Sequence, residues 1–200
     1  RLTSSGTDKE KLDAVVDEQF SLLKKEVKDY LITDEDEPME KIVANLLLNQ
    51  NKTLGTAESC TGGYIAQLIT LIPGSSAYFK GSVVSYSNEV KERLLNVKEN
   101  TLQQYGAVSE ETVKEMAIGA LDALKTDYVL AVSGIMGPGG GSVEKPVGTV
   151  WIAAGTKERL VTQKLHFRFE RQRNIQLTAV NALNLLRKLI IENRLQYRKI

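Results

Sequence analysis

The stretch TLGTAESCTGGYIAQLI, residues 53–69, carries an apolar run that stops at Ser59. It then passes through Cys60, Thr61, Gly62 and Gly63 and continues as a helix-like pattern. A strand that ends in serine and turns through small residues exposes a hydroxyl at the carboxyl end of a sheet. The same turn aims the free N–H groups of a first helical turn at one spot. Those donors suit a phosphate or the oxyanion of acyl transfer, and the two glycines let a ligand come close. The geometry is like a nucleophile elbow, although the G-x-S-x-G pattern is absent. Ser59 acting only as the N-cap of the helix is the competing reading.

A nucleophilic serine needs a base. The single histidine, His166, alternates with Leu165 and Phe167 in KLHFRF and reads as a strand residue. Lysine is the known substitute. In GSVVSYSNEVKERLL, residues 81–95, Ser87 or Asn88 can cap a helix, which puts Lys91 in its first turn. A cation there faces the positive end of the helix dipole, and a pocket would desolvate it; both disfavour the protonated amine. Tyr86, just before that helix, can donate or relay a proton. With one Cys and one His, a zinc site of the usual ligands is not expected, and no metal or cofactor is assigned.

The third element is SGIMGPGGGSVEKPVG, Ser133 to Gly148, with six glycines and two prolines after an apolar strand. Such a loop can bring N–H groups to an anion, yet it matches no phosphate-loop consensus. Arg171 and Arg173, in FERQRNIQ just before the last helical pattern, suit bidentate phosphate recognition.

These pieces need a scaffold. The 200 residues, 42% hydrophobic and 26% charged, suffice for one ordinary domain and a small appendage. Residues 1–37 read as a strand-helix-strand joining segment: RLTSSG, a helical stripe of Leu12, Val15, Val16, Phe20, Leu22 and Leu23, then YLIT. The acidic DEDE ends at Pro38, a natural boundary. From 38 to 200, strands alternate with helices, and a hairpin turns around Gly155-Thr156-Lys157. The fold class expected is α/β, a three-layer α/β/α sandwich with a mixed sheet. A net charge of +1 gives no basic surplus for nucleic acid. The longest apolar runs are too short for a membrane span. One cysteine and no signal-peptide pattern fit a cytoplasmic protein, and a chain starting at Arg1 suggests an upstream domain in a longer parent.

Taken together, AESCTGG, PGSSAYFKGSVVSYSNEVK, GAVSEETVKEMA and SGIMGPGGGSVEKPVGTV closely resemble the C-terminal domain of competence/damage-inducible CinA proteins. Stand-alone members of that family are nicotinamide mononucleotide deamidases. The resemblance covers roughly residues 40–195. It implies hydrolysis of nicotinamide mononucleotide to nicotinic acid mononucleotide and ammonia, without metal, in a homodimer. It implies Ser59 as nucleophile, Lys91 as base, Tyr86 as proton-transfer partner and the Thr61 and Gly62 N–H groups as oxyanion hole. Cys60 and Gly63 of the same turn join the binding candidates. So do Gly134 and Gly137 of the glycine-rich loop, Ser133, where the family more often has Thr, and Arg171 or Arg173. The family often shows Gly-Asp-Arg where this chain has Phe169-Glu170-Arg171. The alternative is a non-catalytic nucleotide-binding module that regulates a partner domain.

Overall fold

Leu54–Glu58 forms strand β1, and every one of its residues is buried. A strand buried on both faces must sit in the middle of a sheet covered on both sides, and β1 does. The computed structural model describes residues 2–28 and 31–197. The chain separates into two compact units, Arg1–Glu37 and Pro38–Ile200.

The first unit is built on helix α1, Lys9–Glu26, whose N-cap Asp8 accepts from the Lys11 N–H. Leu12, Val16 and Phe20 are half-buried, and no residue of α1 is fully buried. The two strands expected around it do not form: residues 2–5 and 31–33 are irregular, and Tyr30 lies outside the described residues. Two short strands without a third partner or a packed face lack the pairing that makes a sheet stable.

In the second unit α2 (Met39–Leu48) precedes β1, and α3 (Tyr64–Thr70) follows it. Then come β2 (Phe79–Val84), α4 (Asn88–Leu95), α5 (Glu99–Tyr105) and α6 (Glu110–Leu124). The chain continues through β3 (Tyr128–Gly134), the hairpin β4 (Thr149–Gly155) and β5 (Leu160–His166), and α7 (Arg171–Tyr197). The strand order is β2-β1-β3-β4-β5. β1 runs parallel to both β2 and β3, while β3, β4 and β5 are antiparallel to one another in turn. Helices α2, α3 and α7 cover one face over Leu54, Leu130, Val132 and Ile152. On the other face α6 lies over Ala57, Val129, Ala131 and Ala153. This is the expected three-layer α/β/α sandwich with a mixed sheet.

Two local features place the site. Connections from β1 go to one face and those from β2 to the other, so the carboxyl ends of these parallel strands open a crevice of the kind that binds ligands in such sheets. On the second face α4 and α6 approach until Gly119 of α6 meets the α4 backbone. A Cβ there would lie 1.9 Å from the Leu95 carbonyl oxygen. The helix α5 was not expected from the sequence. Its seven residues, Glu99–Tyr105, are too few to display an amphipathic period.

Candidate active site

Successive side chains of a strand point to opposite faces, and at the end of β1 this alternation separates two functions. Glu58 turns toward the α3 layer; Ser59 turns the other way, toward α4. Glu58 is fully buried. Its carboxylate accepts from Thr61 Oγ1 (2.7 Å), Gly63 N–H (3.1 Å), Ile65 N–H (3.0 Å) and Ala66 N–H (2.8 Å). Ser82 Oγ lies 3.4 Å away. The free donors that sequence reasoning offered to a substrate anion at the start of α3 are therefore taken by an internal carboxylate. Its signal was present: an acid ending an apolar buried strand needs partners of its own.

The helix α3 starts at Tyr64, so residues 60–63 form the turn. Gly62 and Gly63 both take positive φ, 61° and 99°, which glycine tolerates without the Cβ penalty. The Gly62 N–H donates to the Ser59 carbonyl at 3.2 Å. With Gly63 given to Glu58, the turn amides without a protein acceptor among the described residues are those of Cys60 and Thr61.

Lys91 reaches the site from α4, whose N-cap Ser87 accepts from the Val90 N–H at 3.3 Å. Only 1% of Lys91 is exposed. Its Nζ donates to Ser59 Oγ at 3.1 Å, to the Ser85 carbonyl at 2.8 Å and to the Tyr86 carbonyl at 3.4 Å. Among the described residues no carboxylate pairs with it in an ion pair, and burial pulls its pKa below the ordinary lysine value. Two of its three partners can only accept. When the amine is neutral they retain its two N–H groups, and the lone pair is left facing the serine hydroxyl.

Tyr86 is 63% exposed, and its hydroxyl accepts from Arg171 Nη2 at 3.0 Å. Arg171 Nη1 donates to the Gly137 carbonyl at 2.8 Å. The glycine-rich loop thus offers this arginine an oxygen, where the sequence suggested N–H groups for an anion. Both arginines lie inside the first turn of α7, not before it. Arg171 lines the cavity, whereas Arg173 bonds Gln176 at 3.5 Å and lies outside it.

Ser133, buried at the end of β3, donates to the Ala107 carbonyl at 2.6 Å. Ser59, Cys60, Tyr86, Lys91, Ser133, Gly134 and Arg171 line one cavity of about 170 Å3. Ala107 and Val108, from the turn before α6, and Met136 complete its wall. Sequence reasoning missed these three residues, and it also missed Asn174. Asn174 is buried, and its Nδ2 donates to the Met136 carbonyl at 3.1 Å and the Phe169 carbonyl at 2.9 Å, tying the loop to α7. Thr61, Gly62 and Gly63 line a neighbouring cavity instead. Burial pushes the Cys60 thiol up to about 12, which keeps it out of the chemistry. His166 is exposed at the end of β5, outside the cavity. Among the described residues no group of His, Cys, Asp and Glu could hold a metal ion.

A mixed α/β sheet with a serine, a buried lysine and a tyrosine gathered at the carboxyl ends of its parallel strands defines the class. Residues 36–190 match the family model of the CinA C-terminal domain, and the chain belongs to that family. A CinA-like protein of Cytophaga hutchinsonii is 45% identical over 192 residues, 96% of this chain and 46% of that protein. A CinA-like protein of Thermosipho melanesiensis is 47% identical over 184 residues, 91% of this chain and 44% of that one. The chain spans about half the length of the curated relatives it matches. Among solved structures, a CinA superfamily protein of Klebsiella pneumoniae aligns with TM-score 0.74 at 32% identity, covering 78% of this chain and 99% of that one. The competence/damage-inducible protein of Agrobacterium tumefaciens gives 0.72 at 36%, covering 78% and 97%.

Proposed function

We propose that this chain is a serine amidohydrolase acting on the carboxamide of nicotinamide mononucleotide. The observation that carries the reading is Lys91 Nζ, buried, with no carboxylate partner among the described residues, 3.1 Å from Ser59 Oγ. A buried amine with depressed pKa beside a serine hydroxyl is the arrangement a general base requires.

Ser59 Oγ attacks the carboxamide carbon while its proton passes to Lys91 Nζ. The new C–O bond places negative charge on the former carbonyl oxygen, and the N–H of Cys60, the turn residue that lines this cavity, is the donor for it. Losing one such donor typically costs about 3 kcal/mol of barrier. Lys91 returns the proton to the amide nitrogen, the C–N bond breaks, and ammonia leaves an acyl-serine. Water then attacks the ester carbon, its proton going to Lys91. The Ser59–carbon bond breaks, and Ser59 recovers its proton from Lys91. The product is nicotinic acid mononucleotide. Tyr86, its hydroxyl held by Arg171, is positioned to pass protons at the cavity mouth. The enzyme works in the cytoplasm as a homodimer, the state to be checked by light scattering.

The test is ammonia release from nicotinamide mononucleotide, wild type beside Ser59→Ala, without added metal. Release by wild type alone is expected. Equal release by both would remove the nucleophile assignment. Tight nucleotide binding by a folded wild type that releases no ammonia would favour the regulatory module.

A further inference from the structure

The cavity that holds Ser59 and Lys91 measures about 170 Å3. Pockets that enclose a whole small-molecule ligand usually run from about 300 to 1,000 Å3. It has room for a carboxamide and its ring, so the remainder of a mononucleotide must lie outside it.

A second cavity, of about 400 Å3, is lined by the next residues of the same turn. Thr61, Gly62 and Gly63 form one wall, and Gln67 of α3 with Gln172 and Gln176 of α7 form the others. Gln172 directly follows Arg171, which lines the reactive cavity, so both the turn and the start of α7 are shared between the two spaces. The side-chain amides of Gln67 and Gln172 make no hydrogen bond to another described residue. Gln176 uses only Oε1, toward Arg173 Nη1 at 3.5 Å, which leaves its Nε2 donors.

The composition selects the ligand. Among the described residues no acid and no cation lines the cavity, so an ion is not matched inside it. Amides both donate and accept, as sugar hydroxyls do. Arg173, bonded to Gln176 and outside the lining, supplies a guanidinium for a phosphate monoester. The competing anion site, the N-terminus of α3, is filled by Glu58.

We infer that this second cavity is the sugar-phosphate subsite, with Gln67, Gln172 and Gln176 on the hydroxyls and Arg173 on the phosphate. The inference rests on the amidohydrolase reading for the identity of the substrate, but its test does not need turnover. Ribose 5-phosphate is titrated into the whole chain and followed by protein NMR, for wild type, Gln172→Leu/Gln176→Leu and Arg173→Gln. Wild type should bind, and the double variant should bind at least about tenfold more weakly, the change expected for lost hydrogen bonds. Arg173→Gln should weaken ribose 5-phosphate but leave the weaker binding of ribose itself in place. Circular dichroism checks that the variants are folded; their substituted side chains are exposed or half-buried, at the surface. Failure of wild type to bind, or equal affinity in the double variant, overturns the subsite. Binding as expected without ammonia release from the mononucleotide removes the reaction and keeps the subsite. Ammonia release with an unaltered KM in the double variant keeps the reaction and removes the subsite.

Discussion

The Lys91 amine has a charge state that can be read in two independent ways. Activity needs the neutral form, so kcat/KM should rise with pH along a limb that lies below the ordinary lysine range, the direction in which burial moves it. Lys91→Arg should be inactive across the whole profile, because a guanidinium does not deprotonate. The same group leaves a mark on stability. Its pKa is lower in the folded state, so between the folded and unfolded values the unfolded chain binds more protons. Wild-type stability relative to Lys91→Met should therefore increase as pH rises through that interval. Urea midpoints for the two chains at a series of pH values measure it, and a flat difference would contradict a depressed pKa. Cys60 gives the opposite reading beside the same serine. With its thiol near 12 against an ordinary 9, its thiolate fraction near neutrality falls by about 1,000-fold. A thiol reagent should leave the native chain unlabelled and label it promptly in urea.

Between residues and fold, the element that matters most is the β1–α3 junction. Glu58→Ala would strand four donors in a buried space; at about 1–3 kcal/mol for each unsatisfied group, it should be among the most damaging single changes in the chain. Glu58→Gln keeps an accepting oxygen and should recover part of the loss in a urea melt. On the opposite face, Gly119→Ala drives a methyl into the Leu95 carbonyl and should cost about 1–3 kcal/mol as overpacking. Because α4 carries Lys91, kcat should fall with it; full activity would mean that α4 can shift without moving the amine. The sequence showed where these elements lie because strand alternation and the Ser87 cap are local signals. It did not show which donors were already taken. The partners of Glu58 run from Thr61, 3 positions on, to Ser82, 24 positions on and beyond local reach, and Arg171 meets Tyr86 across 85 positions. Arg171 and Arg173 have the same local sequence surroundings, and only the packing of α7 against the glycine-rich loop distinguishes them.

For the whole molecule, every residue of the proposed site lies in the unit Pro38–Ile200, which has apolar cores on both faces of its sheet. A chain beginning at Pro38 should therefore unfold in one cooperative step and retain the ammonia-releasing activity proposed for the full chain. Scanning calorimetry and the ammonia assay check this together. Loss of both on truncation would show that the first unit supports the second. Among the described residues no helix is long and apolar enough to cross a membrane.

Glu58 and Ser59 are neighbours that must face opposite layers, the acid into α3 and the hydroxyl onto Lys91. Substitution libraries sample this pair one side chain at a time, but the reading frame of the strand binds both together. A one-residue insertion or deletion within Leu54–Glu58 would exchange their faces, burying the hydroxyl among the α3 donors and setting a carboxylate beside the amine. In an indel scan, this five-residue segment should be as intolerant of length change as a codon frame, whereas the Thr156–Glu158 turn should absorb extra residues.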